Sequence, residues 1–236
     1  MPVGDPDPEP RNPVPRRVRT ALRIARQGDW SQLWRTTARQ ALPWWLFYTN
    51  DLRIVRLRRV REVQVDLGRF RVRPATHADL GRLAVLHDRG DEARAKLDQG
   101  DWCFLAEVDE RPAAVAWFAH DREHRSRADG IRFHYGAQGC WSYWIEVHPD
   151  FRLRGALLKL WIDTFALLRA RGVTAVYSGI EETNPPSVRA HLRLGFEEIH
   201  RVQMLRLVGL TLHRARTPQG SWRVAAGTWR GEDPEG

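Results

Sequence analysis

The chain has 236 residues, 42% of them apolar, and a formal net charge of +9, which allows one or two domains with a sizeable core. Two cysteines, Cys103 and Cys140, provide neither a disulfide framework nor a metal cluster. No apolar stretch reaches the roughly 18 residues of a membrane-spanning helix.

The charge is uneven. Residues 1–61 hold 13 Arg against 5 acids, whereas residues 62–236 hold 25 Lys/Arg against 24 Asp/Glu. Such an arm either meets an anionic surface or is a solvated basic face. The opening MPVGDPDPEP lacks the basic start and apolar run of a secretory signal, so a reducing cytoplasm is the expected compartment.

In chain order, residues 1–15 are Pro-rich and expected to be disordered. Residues 16–66 read as a basic, aromatic arm. It has a helix at Arg16–Gln27, a second helix capped by Asp29, and the aromatic run Trp44-Trp45-Leu46-Phe47-Tyr48. Arg53–Val65 alternates basic and apolar residues as an edge strand would. A body over 67–214 opens with a strand at Phe70–Pro74 and a helix capped by Thr76 with Asp79. A short helix at Asp91–Leu97 follows, then a hairpin, Trp102–Val108 and Ala113–Ala119, turning at Asp109–Pro112. His120–Gly139 is polar and reads as loop, and Trp141–Val147 as strand. A helix follows Gly155 and ends at Gly172. Val173–Gly179 is a strand, Pro186–Leu194 a helix, and Glu198–Leu212 one or two closing strands. The tail from 215 on is expected to be loop. Alternating helices and strands with hairpins among them predict an α/β (α+β) fold on a mixed sheet.

Two stretches carry chemistry. Val147–Leu158 runs from strand into helix through Arg152-Leu153-Arg154-Gly155. Helix-start amides lack intrahelical partners and carry partial positive charge, so this basic turn suits a phosphate. Neither GxxxxGK[ST] nor GxGxxG is present. The second stretch is Asn184–Phe196, with Ser187, His191 and Leu194-Gly195-Phe196.

Together the two stretches resemble motifs A and B of the GCN5-related N-acetyltransferases, the GNAT superfamily. Motif A stands as Val147-His148-Pro149 followed by Arg152-x-x-Gly155-x-Leu157, and motif B as Asn184, Ser187, His191 and the LGF triplet. The resemblance covers roughly Arg69 to Arg214. It departs from the family where Leu157 replaces a small residue and His191 replaces the usual Tyr. It implies a six- or seven-stranded sheet splayed between the strands before the two motifs, with acetyl-CoA held in the splay. Val147 would bond the pantetheine, Arg152, Leu153, Arg154, Gly155, Ala156 and Leu157 the pyrophosphate, and Asn184 and Ser187 the pantetheine arm. His191 would stand near the sulfur.

An imidazole can replace a phenol as general acid, or His191 can pack beside Phe196. Glu146, one residue before Val147, is the candidate base if burial raises its pKa; Glu181, Glu182 and a water chain are rivals. His120, His124 and His134 have neither the spacing nor the partners of a zinc site, so no metal is expected. Trp117, Trp141 and Trp144 read as core. One of them on a pocket wall would suit a sugar ring or an aromatic amine.

The implied activity is acetyl-CoA-dependent transfer of an acetyl group to a primary amine, with a small-molecule acceptor favoured because the body carries no strongly charged groove. A peripheral membrane module using residues 16–61 on an anionic inner face competes with it. Nucleic-acid binding through Arg and Trp is the weaker rival.

Overall fold

The structure, a computed structural model, describes residues 43, 46–61, 67–87, 90–120, 123–126, 130–208, 210–216, 220–225 and 228–231. The expected tail at 1–15, the two arm helices, and Trp44 and Trp45 lie outside these. The described residues fall into two compact units, one running up to Thr49 with Leu205–Leu210, the other Asn50–Met204 with Thr211 onward. In the first, the Val208 amide donates to the Leu46 carbonyl at 3.0 Å. No helix among the described residues is long and apolar enough to cross a membrane.

The strands are β1 (Phe47–Leu57), β2 (Arg71–Pro74), β3 (Trp102–Val108), β4 (Arg111–Ala119), β5 (Glu123–Ser126), β6 (Ile131–His134), β7 (Gly139–Val147), β8 (Ala175–Glu181), β9 (Glu197–Leu207), β10 (Leu210–Arg216), β11 (Trp222–Ala225) and β12 (Thr228–Arg230). The helices are α1 (Leu80–Leu86), α2 (Gly90–Asp98), α3 (Ala156–Ala170) and α4 (Pro185–Leu194). Among the described residues nine strands form one sheet in the order β11-β10-β9-β1-β8-β7-β4-β3-β2, and three form another in the order β12-β6-β5. The large sheet is mixed: β7 and β8 run parallel, while β1–β8 and β4–β7 are antiparallel.

Local chemistry explains much of this. Asp109 and Glu110 take positive φ of 48° and 61°, the left-handed turn that matches strand twist between β3 and β4. Thr76 and Asp79 form a reciprocal capping box before α1. On α3, Leu160, Trp161, Thr164, Phe165 and Leu168 face inward, giving the apolar stripe of a surface helix. That stripe packs with Phe104, Phe118 and Val176 on one face of the sheet. On the other face, Leu83 of α1 and Ala93 of α2 cover Leu105 and Trp117. The small sheet covers the rest, with Phe133 and Trp229 against Trp141 and Tyr177.

Four readings of the sequence are corrected. Among the described residues the large sheet has nine strands rather than six or seven. The basic, alternating stretch around Arg53 is no edge: β1 lies between β9 and β8. Its arginines are tolerated there because neighbouring strands supply carboxylates, Glu182 and Glu198 for Arg53 and Glu197 for Arg56. The polar stretch at 120–139 carries β5 and β6, whose four-residue lengths hide the alternation of buried Ile131 and Phe133 with exposed Arg132. The stretch after 215 carries β11 and β12 rather than loop alone, β12 being held by buried Trp229.

Candidate active site

β7 and β8 pair only from Gly139–Ser142 against Ala175–Ser178. Beyond Ser142 and Ser178 the ladder stops and the strands part. The opening has a local cause on the other side of β7. There the β4 register jumps between Val115 and Trp117, and Trp144 takes φ of 44°. One extra residue of β7 is extruded as a bulge, which bends the strand and raises its twist. A groove of about 980 Å³ runs through the opening.

At one end the groove meets the turn into α3. Gly155 sits at φ of 89°, a left-handed conformation that glycine adopts without Cβ strain. A Cβ there would come within 2.5 Å of Leu67 Cδ2. Leu153 also has positive φ, at 59°, and projects fully into solvent. The amides of Arg152 and Arg154 donate within the turn at a long 3.3 Å, to Pro149 and Phe151. Those of Leu153, Gly155, Ala156 and Leu157 have no backbone partner outside the helix among the described residues. The arginines at 152 and 154 are exposed, and Arg152 Nε donates to the Val147 carbonyl at 3.3 Å. A cluster of free amides in a turn that also carries Arg152 and Arg154 is a fitting cradle for a pyrophosphate.

Deeper in, α4 starts with Asn184, whose Oδ1 accepts from the Ser187 amide at 3.3 Å and caps the helix. It ends at Gly195, φ of 107°, where a Cβ would stand 2.9 Å from the Arg59 carbonyl. This tight closure fixes the rotation of α4 and turns His191 into the groove. His191 is buried. Its Nδ1 donates to the Ser187 carbonyl at 2.8 Å, and its Nε2 has no partner among the described residues. Burial pushes its pKa below the ordinary 6.5, partly offset by the Ser187 bond. The ring is therefore neutral near pH 7, with an enclosed Nε2 lone pair and edge contacts to Trp161 and Phe196.

The structure separates the other candidates. Val147, Arg152, Leu153, Gly155, Ala156, Leu157, Asn184, Ser187 and His191 all line the groove; Arg154 does not, though it sits in the same turn. Glu146 is exposed and lies outside the groove, so it lacks the burial on which its candidacy as base rested. Glu182 is held by Arg53, which lowers its pKa. Neither Glu181 nor Glu182 lines the groove. Among the described residues no three His, Cys, Asp or Glu side chains gather as a metal set. His120 bonds the Gly100 carbonyl and stacks on Trp102. Trp117 is core, whereas Trp141 and Trp144 reach the groove.

Sequence reasoning missed Ser142. It lines the groove at the point of splay, buried, with an unpartnered Oγ, and its carbonyl accepts from Ser178 Oγ at 3.2 Å. Its signal was the one small, aliphatic hydroxyl in the aromatic run Trp141–Trp144.

A parallel pair splayed over a basic helix start is the arrangement that the two motifs implied, and residues 76–196 match the acetyltransferase (GNAT) family. The chain belongs to the GNAT family. The cofactor that membership implies is acetyl-CoA. The cradle of free amides and the orphaned Nε2 of His191 in the same groove fit a ligand with a pyrophosphate at one end and polar groups along its arm. The GNAT chain is similar to a GNAT-family protein from Novosphingobium aromaticivorans, at 18% identity over 66% of this chain and 62% of that one, TM-score 0.46. It is similar to a Salmonella typhimurium protein solved with its cofactor acetyl-CoA, at 22% identity over 56% and 82%, TM-score 0.40. A third similarity is to the ribosomal-protein-S18-alanine N-acetyltransferase of Escherichia coli, at 16% over 55% and 79%, TM-score 0.45. The chain thus spans less than two thirds of the first of these proteins. No curated protein sequence matches it.

Proposed function

We propose that this GNAT chain transfers an acetyl group from acetyl-CoA directly to a primary amine of a small molecule. The observation that carries the reading is the single groove joining the amide cradle of α3 to buried His191, whose Nε2 has no partner among the described residues. Acetyl-CoA supplies an activated acyl group on a thiol leaving group. The amides of Leu153, Gly155, Ala156 and Leu157, with Arg152 and Arg154, hold the pyrophosphate. Val147 and the α4 start at Asn184 and Ser187 align the arm along the splay.

Transfer breaks the carbonyl carbon–sulfur bond and forms a carbon–nitrogen bond. The amine loses one proton and the sulfur gains one. His191 suits both halves. Neutral Nε2 accepts the proton that the amine releases, and the resulting imidazolium returns it to the sulfur, while the Nδ1 bond to Ser187 keeps the ring oriented. Glu146 faces solvent outside the groove, which leaves this work to His191.

Calorimetric titration of the full chain with acetyl-CoA tests the proposal, together with thiol release on adding amines. Binding in the micromolar range and amine-dependent thiol release support it. Absence of acetyl-CoA binding removes it.

A further inference from the structure

Resting on that reading, we infer that the amine acceptor is an aromatic monoamine, seated between the bulged part of β7 and the small sheet. The groove does not end at His191. It continues through the splay to the opposite face, where Trp141, Tyr143 and Trp144 of β7 meet Ile54 of β1 and Ile131 of β6. His124 of β5 roofs this end, stacked on Trp141 with centroids 4.6 Å apart and planes 6° from parallel. Trp144 is half-buried and stands edge-on to Tyr143, centroids 5.5 Å apart at 69°. Such walls offer a planar ring both face and edge contacts.

What these walls lack is as informative. No Asp or Glu is among the described residues lining the groove. Asp101, behind Tyr143, already receives the Tyr143 hydroxyl and lies 3.6 Å from Lys96 Nζ. A polycation buried here would bring several ammonium groups with no carboxylate to meet them, which is prohibitive in an apolar site. A sugar would bring several hydroxyls. The polar side chains at this end are His124, Ser126, Ser142 and Ser178, and Ser178 is already committed to the Ser142 carbonyl. One amine can be served: it points down the splay toward Ser142 and His191, which both line the groove and each hold a buried polar atom with no partner among the described residues.

The test is a panel of acceptors on the full chain: 2-phenylethylamine, glucosamine, spermidine and a short peptide with N-terminal alanine. The proposal expects kcat/KM for 2-phenylethylamine to exceed each of the others by at least about tenfold. Equal or better turnover of any of the other three overturns it. Ligand-observed NMR without donor separates this from the transfer reading. If 2-phenylethylamine binds and acetyl-CoA does not, the aromatic chamber stands and acetyl transfer falls. If acetyl-CoA binds and the ring does not, the reverse holds. A Trp144→Ala variant should lower 2-phenylethylamine affinity about tenfold, with acetyl-CoA affinity within about twofold. Should that variant melt, Ser126→Asp serves instead: by placing a carboxylate in the chamber it should raise spermidine turnover relative to 2-phenylethylamine, and an unmoved ratio counts against the proposal.

Discussion

His191 donates its Nδ1 proton to the carbonyl of Ser187, one turn back on the same helix, at 2.8 Å. That bond selects the tautomer and leaves the buried Nε2 bare. Because burial lowers the folded pKa below 6.5, the unfolded chain binds more protons just below that value. The resulting stability is complete above pH 6.5 and is lost as pH falls toward the lower folded pKa. Chemical denaturation from pH 7.5 to 5 should therefore show falling stability, and His191→Gln should flatten part of that slope. The same variant should reduce kcat by about 10²–10⁴ while changing acetyl-CoA affinity little. A kcat within about threefold of wild type would leave His191 a packing residue.

Gly155→Ala and Arg154→Glu probe the cradle in different ways. The alanine is forced into a left-handed conformation worth about 1–2 kcal/mol of strain and pushes on Leu67. It should lower the melting temperature and weaken acetyl-CoA together. Arg154→Glu changes an exposed side chain, so stability should hold while affinity falls at least about tenfold, from loss of a charge-assisted contact of roughly 1.5–3 kcal/mol. An unchanged dissociation constant in the glutamate variant would remove the pyrophosphate from this turn.

Ser142→Ala gives an unusual combination. Its hydroxyl is buried without a partner, so deleting it relieves a desolvation penalty of about 1–3 kcal/mol. Thermal melts should show equal or higher stability, and kcat/KM should fall. A loss of stability would mean that the hydroxyl is already satisfied in the free protein.

Asp79 accepts two bonds from Arg73, at 2.6 and 3.0 Å, and one from the Thr76 amide at 2.9 Å. The Arg73 bonds, foremost, hold its pKa down at about 2. Removing it leaves Arg73 on Glu107 in a partly buried network and unmakes the capping box, so Asp79→Ala should destabilise by about 1–2 kcal/mol with acetyl-CoA affinity unchanged. Equal stability in urea would show the network to be solvated.

Glu146→Gln should alter kcat by less than about twofold, since an exposed carboxylate outside the groove is screened from the reaction. A large fall would return the proton to Glu146 and take it from His191.

The two motifs were legible because each residue type answers a local demand. Gly155 and Gly195 take positive φ, Asn184 caps a helix, and Arg152 flanks free amides. Even the splay followed, through the resemblance. What stayed hidden depends on partners far along the chain. Arg53 looked like an edge residue because nothing nearby announces Glu182 and Glu198. Glu146 looked buried from its place in an apolar strand, but the bulge at Trp144 resets the alternation after it and turns Glu146 outward. Strands as short as β5, β6 and β12 carry too little pattern to stand out, and only the wall they form together makes them visible.

β12 pairs in parallel with β6, setting Trp229 opposite Phe133, and the Gly231 amide donates to the His134 carbonyl. Every residue lining the groove is made by Leu194, yet the sheet bearing His124 and Ile131 gains β12 only when residues 228–230 have been made. Part of the groove's surround therefore waits on chain synthesised after all of its lining.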